Sequence, residues 1–345
     1  MGCAARARGQ VTAKPRLAAV TGATGFLGRH VVRQLYKAGW HVRVLARKDP
    51  IHPLWRDIEP EVIIGDLADE AALDRLCAGA DLVVHLAGLT KAWTAEQFHA
   101  VNVEGTRRLA QRTPGRMLLV SSLAAREPGL SDYAASKRGG EEAARVVLGD
   151  RLGVVRPPAL YGPDDPETLP LFELAASSPV LPLLDSQASI TLMHVEDAAR
   201  QIVALAAQPP PFVVALSDGH PYGYGWREIM QTAADVFGRS PFFLRIPGVA
   251  LNLAAMLGSL APRTGHAPMI TAGKVREIRH PDWAIRPEEQ PYVLPKPHYD
   301  LRAGFLHSVH GYVASGVNFG SSTTHLKKGT AAPLGERRQT CDDHG

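Results

Sequence analysis

Tyr133 and Lys137 stand four residues apart in Tyr133-Ala134-Ala135-Ser136-Lys137, a spacing that puts both on one helix face. A phenol with an ordinary pKa near ~10 is a poor base at neutral pH. An ammonium beside it stabilises the phenolate and lowers that value, which makes Tyr133 a usable proton donor or acceptor. Ser121-Ser122 closes a predicted strand just upstream, where a hydroxyl can hydrogen-bond the oxygen the phenol serves. A second group is Thr21-Gly22-Ala23-Thr24-Gly25-Phe26-Leu27-Gly28. A β-type run from Leu17 to Val20 precedes it, and Val31, Val32, Leu35 and Tyr36 follow at helical spacing within Arg29 to Ala38. Strand, glycine turn and helix in that order form a cradle for the pyrophosphate of a dinucleotide. The glycines let the backbone approach the phosphates, and free N–H groups at the helix start face their charge.

The elements that must position these groups alternate along the chain. Strands are expected at His41–Ala46, Glu61–Gly65, Asp81–Leu86, Met117–Ser121 and Leu152–Arg156, with helices over Ala71–Leu76, Ala95–Gln111 and Tyr133–Val147. That rhythm predicts an α/β fold, a Rossmann-type doubly wound parallel sheet over residues 16–165. Prolines at 157, 158, 163, 166 and 170 break the pattern, and 169–184 reads as an apolar, leucine-rich loop. A strand at Ile190–Met193, a helix from Glu196 to Ala207 and a strand at Phe212–Leu216 suggest that 188–218 rejoins the sheet. A smaller, mostly helical substrate domain is expected from 166–187 and 219–312. Residues 1–15 read as a disordered leader and 313–345 as a disordered tail.

Composition narrows the function classes. The chain has 345 residues and a net charge of +4, with no Asp or Glu before Asp49. This early basic bias suits cofactor phosphates better than nucleic acid, for which no motif is present. Cys3, Cys77 and Cys341 have no close spacing, so a reducing, cytoplasmic setting without a disulfide framework is expected. The histidines lack paired metal-ligand spacing, so no metal is expected. No stretch reaches the ~20 apolar residues of a membrane span.

Several motifs in order resemble the short-chain dehydrogenase/reductase superfamily in its extended, epimerase/dehydratase-like form, over about residues 16 to 310. They are the Thr21–Gly28 turn, Asp66-Leu67, His85-Leu86-Ala87-Gly88, Asn102-Val103-Glu104-Gly105-Thr106, Ser121-Ser122, the Tyr133/Lys137 pair, Arg156-Pro157, Tyr161-Gly162-Pro163 and His194-Val195-Glu196-Asp197. The resemblance implies that Tyr133 is the general acid/base, that Lys137 tunes it and holds the nicotinamide ribose, and that Ser122 orients the substrate oxygen. It further implies that Asn102 supports the lysine, Asp66 and Leu67 meet the adenine, and Leu86, Ala87 and Gly88 line the cofactor. Pro157 falls near the nicotinamide. Homodimers are frequent among such relatives. His194 and Asp197 are read as caps of the next helix. The interval from Ser122 to Tyr133 is short for the extended group.

The second strand ends in Ala46-Arg47-Lys48, where an acidic residue would select a ribose hydroxyl and repel a 2′-phosphate. Arg47 and Lys48 therefore favour NADP over NAD. For the substrate, Ile190 stands where nucleotide-sugar enzymes of this kind carry a diphosphate-binding arginine. Leu169, Leu171, Phe172, Leu181, Leu183 and Leu184 are apolar, as is Val249 to Leu260. The character is nearest the hydroxysteroid dehydrogenase and dihydroflavonol reductase branch, acting on an apolar small-molecule carbonyl or alcohol. Arg263, Lys274, Arg276 and Arg279 leave a nucleotide-sugar epimerase or dehydratase open as an alternative. A non-catalytic dinucleotide-binding protein, like accessory subunits of complex I, is a third reading.

Overall fold

A computed structural model describes residues 16–50, 52–184, 188–247 and 271–320. The leader 1–15, the apolar run 249–260 and Arg263 lie outside the described residues.

Seven strands form one sheet in the order β11-β6-β5-β4-β1-β2-β3. These are β1 (Leu17–Thr21), β2 (His41–Ala46), β3 (Glu61–Ile64), β4 (Leu82–His85), β5 (Arg116–Val120), β6 (Leu152–Arg156) and β11 (Phe212–Ala215). Every pairing is parallel. Such a sheet is covered on both faces, so its central strands read as unbroken apolar runs rather than alternations. Leu-Val-Val-His of β4 is buried throughout. One face packs against α1 (Phe26–Lys37) and α7 (Val195–Leu205), through Val31, Val32, Leu35, Ala198 and Ile202. The other carries α2 (Glu70–Cys77), α4 (Thr106–Arg112) and α5 (Asp132–Leu148), through Leu73, Leu76, Leu109 and Ala144. Strand order reverses between β1 and β4, so the carboxyl ends of both open onto one crevice.

A second cluster holds the substrate side, with Tyr161, Phe172, Phe237, Phe305 and Tyr312 at its centre. It joins α6 (Leu169–Ser177), α8 (Trp226–Val236) and α10 (Leu301–Ala314). Three small two-stranded ladders accompany it. They pair β7 (Ala159–Tyr161) with β10 (Leu192–His194), β8 (Val180–Leu184) with β12 (Phe242–Ile246), and β9 (Ser189–Ile190) with β13 (Asp282–Trp283). Helix α9 (Ala272–Arg279) follows β12 among the described residues.

Several expectations are corrected. The apolar stretch 169–184 is not a loop: it forms α6 and β8, with Phe172, Leu181 and Leu183 buried and the other leucines partly buried by partners distant in sequence. The long helix expected from Ala95 is interrupted, with α3 (Ala95–Phe98) and α4 flanking a π-helical stretch, His99–Gly105. The chain stays packed past residue 313, because α10 runs to Ala314 and Phe319 is buried against Phe237.

Candidate active site

The turn after β1 tolerates no side chain at two positions. Gly22 has φ +71°, and a Cβ there would lie 2.5 Å from the Ala87 nitrogen. A Cβ on Gly28 would lie 2.0 Å from the Gly22 carbonyl oxygen. Close backbone approach lets α1 start at Phe26, with Gly25 as its N-cap. Thr24 and Gly25 are exposed, while Phe26 and Leu27 are partly buried.

A buried polar string props the neighbouring strand end. Thr21 Oγ1 lies 2.6 Å from His85 Nδ1, and His85 Nε2 lies 2.9 Å from Thr106 Oγ1. Thr106 donates to the Asn102 carbonyl, and the Ala87 N–H donates to Thr21 Oγ1. Each group is satisfied when neutral His85 carries its proton on Nε2. Burial, then Lys137, pushes His85 down to about 3, so it stays neutral.

Asn102 falls on the π-helical stretch, buried beside Leu89. Its Oδ1 accepts from the Leu89 N–H at 2.7 Å, and its Nδ2 donates to the Leu89 carbonyl and the Ser136 hydroxyl. Ser136 in turn donates to the Tyr133 carbonyl. Asn102 thus touches the helix of Tyr133 and Lys137 rather than the lysine itself.

Tyr133, Lys137 and Ser122 do come together at the sheet edge. Ser122 caps a short turn, Leu123–Arg126, and its side chain lies within hydrogen-bonding reach of the Tyr133 phenol. The Phe98 ring packs 6.0 Å from that of Tyr133. The Ser121 hydroxyl is buried without a partner. Lys137 Nζ donates to the Val120 carbonyl at 3.0 Å, and burial lowers it to about 8. The expected acidification of Tyr133 by Lys137 is not what this arrangement does: burial raises the phenol, Ser122 offsets part of the rise, and the Glu277 carboxylate adds to it. The ammonium is engaged by a carbonyl and is itself desolvated.

The adenine-side residues are open. Asp66 is exposed and accepts from the Ala68 and Asp69 N–H groups, and Leu67 packs over Gly105. Arg47 and Lys48 are exposed at the end of β2, with no hydrogen bond or ion pair among the described residues. Leu86 and Ala87 are partly buried, and Gly88 is exposed beside Asn102 and Lys137. Pro157 is buried, its carbonyl accepting from Leu123.

The glycine cradle, the free cations at the end of β2 and the unpartnered Ser121 hydroxyl fit a phosphorylated dinucleotide laid across the crevice. A family profile, that of the NAD dependent epimerase/dehydratase family, matches residues 18–215. The chain belongs to this family. With it comes the extended short-chain dehydrogenase/reductase superfamily, a group of NAD-dependent oxidoreductases and epimerases. The chain is 50% identical over 303 residues to a ceramide reductase of Caulobacter vibrioides, covering 86% of this chain and 95% of the relative. It is 27% identical over 264 residues to 4-hydroxy-2-methyl-3-oxo-4-farnesyl-3,4-dihydroquinoline-1-oxide ketoreductase of Stigmatella aurantiaca, covering 69% and 78%. In fold it is similar to UDP-glucose 4-epimerase of Thermotoga maritima, solved with UDP-glucose, at a TM-score of 0.64 and 15% identity over 87% and 99% of the chains.

Sequence reasoning missed three features. Glu141 is fully buried in a two-pronged ion pair with Arg156, at 2.8 and 2.6 Å; its spacing of four from Lys137 was the available signal. Glu277 reaches the start of α5 from 146 residues away, with no local signal. His194, Glu196 and His307 bring possible metal-ligand atoms within 4.8 Å of one another. His194 caps its helix, its Nδ1 accepting from the Glu196 N–H, which leaves Nε2 to donate to His307 Nδ1 at 3.1 Å. Asp197 instead accepts the N–H groups of His298 and Tyr299. Among the described residues no helix is long and apolar enough to cross a membrane.

Proposed function

We propose that the protein is an NADP-preferring oxidoreductase acting on a long-chain, ceramide-class ketone or alcohol, with Tyr133 handling the proton. The observation that carries this reading is the placement of Tyr133 within reach of Ser122, one helix turn from Lys137, at the sheet edge. Half identity with a ceramide reductase over nearly that protein's whole length supports the substrate class. The farnesylated ketone in the Stigmatella enzyme's name points the same way.

Bound in the cradle, the nicotinamide dinucleotide supplies or accepts hydride at the substrate carbon. Thr21, Gly22, Thr24, Gly25, Phe26, Leu27 and Gly28 would hold its pyrophosphate. Asp66 and Leu67 would meet the adenine, and Leu86, Ala87, Gly88 and Pro157 would line the nicotinamide half. Arg47 and Lys48 would take a 2′-phosphate, and Lys137 the nicotinamide ribose. In the reductive direction Ser122 hydrogen-bonds the carbonyl oxygen and Tyr133 gives it a proton. A phenol whose pKa is raised by burial stays protonated at neutral pH, which suits a proton donor. A mainly apolar trough of about 410 Å³ lies beside Leu89, lined by Ala92, Trp93, Ala100 and Val101 together with the polar Lys91 and Gln97. It suits a hydrocarbon chain. Ile190 is buried where a diphosphate-binding arginine would stand, which counts against a nucleotide-sugar.

The test is turnover of a ceramide-class ketone with NADPH, followed by absorbance and product analysis. One NADP formed per alcohol is expected. Tyr133→Phe should lower kcat by about a hundredfold or more, the range of general acid catalysis, with NADPH binding retained. Turnover of a nucleotide-sugar without net cofactor oxidation, and none of the ketone, would overturn the proposal.

A further inference from the structure

The connector between Ser122 and Tyr133 is clasped at both ends by residues 276–289. Near Ser122, Arg126 donates to the Ala284 and Asp282 carbonyls and pairs with Glu289 at 3.1 Å. Near Tyr133, Arg276 Nε donates to the Leu130 carbonyl at 2.7 Å, and the Ser131 hydroxyl donates to Glu277. Ser131 is the N-cap of α5: its Oγ also accepts the Ala134 N–H at 3.0 Å. Packing there is tight, since a Cβ on Gly273 would lie 2.8 Å from the Ser131 Cβ. Glu277 is itself buried, held by Lys274 at 3.3 Å through its carboxylate and by Trp283 Nε1 at 2.8 Å through its carbonyl. A buried carboxylate is costly unless its acceptors are used. Here it spends one oxygen on the residue that starts the helix of Tyr133 and Lys137.

We infer that Glu277 is a positioning residue for Tyr133: through Ser131 it ties the substrate-side helix α9 to the first turn of α5 and so sets where the phenol stands. The inference rests on the proposed proton-transfer role of Tyr133. The groups that act on the phenol are the uncharged Phe98 ring from α3, the Ser122 hydroxyl and the Glu277 carboxylate from α9, while Lys137 on its own helix is turned to the Val120 carbonyl and Lys274 pairs with Glu277. Glu277 also contributes to the raised phenol pKa, so one carboxylate supplies both placement and charge.

Charge and placement separate by substitution. Glu277→Gln keeps an oxygen that can accept the Ser131 hydroxyl but removes the charge, whereas Glu277→Leu removes both. Ser131→Ala cuts the tie, and Ser131→Thr restores a capping hydroxyl. Steady-state kinetics with NADPH and the ketone should show kcat about tenfold lower in Glu277→Leu and Ser131→Ala, with KM and NADPH affinity within about twofold of wild type and Ser131→Thr near normal. A tenfold loss corresponds to about 1.4 kcal/mol. Glu277→Gln should keep most of kcat but move the alkaline limb of its pH profile to lower pH. Ultraviolet titration of the phenol, wild type minus Tyr133→Phe, should show the same displacement without turnover. Unchanged kcat in the folded Glu277→Leu and Ser131→Ala proteins overturns the inference, as does a Glu277→Gln protein whose phenol titrates as in wild type. Full activity of Tyr133→Phe would refute the proton-transfer reading instead, while the ultraviolet titration still tests the effect of Glu277 on the phenol.

Discussion

Arg156→Met should be among the most damaging single substitutions outside the cofactor cradle. Glu141 has no solvent exposure, and the Arg156 guanidinium occupies both its oxygens, at 2.8 and 2.6 Å. Removing the arginine strands a carboxylate in the packing between α5 and β6, next to a lysine already lowered to about 8 by burial. Breaking a buried pair from one side costs about 3–5 kcal/mol, whereas replacing both partners with apolar side chains is often neutral. Urea unfolding of Arg156→Met, Glu141→Leu and the double variant, read at a common m-value, gives the cycle directly. We expect each single to lose about 3 kcal/mol or more and the double to recover most of that. Glu141 also raises the Lys137 pKa, so Glu141→Leu should let Lys137 lose its proton at lower pH. A loss under about 1 kcal/mol in Arg156→Met, or a double variant weaker than both singles, would refute the argument.

Gly28→Ala places a methyl 2.0 Å from the Gly22 carbonyl, so calorimetry should show dinucleotide affinity down by about tenfold or more while the protein remains folded. Arg47→Asp should weaken NADPH relative to NADH by about tenfold or more in competitive titrations, and an unchanged ratio would remove Arg47 from the cofactor assignment. Acid stability should fall from about pH 6.5 downward. The unfolded chain takes up protons there, while His85, held neutral to about 3, does not; the differential approaches roughly 4–5 kcal/mol by pH 3. His30 and His194, pushed down to about 4 and about 2, act in the same direction. Chemical denaturation across that range should show a shallower decline in His85→Asn.

Local pattern carried the nucleotide half. Gly28 is demanded by a close backbone approach within one turn and Gly22 by its positive φ and the adjacent strand end at Ala87, and the buried strands of a parallel sheet announce themselves as apolar runs. Ser122, Tyr133 and Lys137 were legible because neighbouring strands and one helix turn bring them together. The stretch 169–184 was not, because leucines without alternation suit a loop, helix or strand equally until partners such as Met230 and Phe243 are in place.

What the sequence by itself determined is the alternation of strand and helix, the cradle and the order of the motifs, since each depends on contacts within a few residues or on adjacent strands. Only the tertiary structure decided the electrostatics. Lys137 turned to the Val120 carbonyl, Glu141 found Arg156, and Glu277 came 146 residues to meet Ser131. A pKa reports how much water is excluded and which charges share the space, and neither is written in spacing along the chain. The phenol that four-residue spacing marked as acidified is therefore, once buried, a phenol that holds its proton.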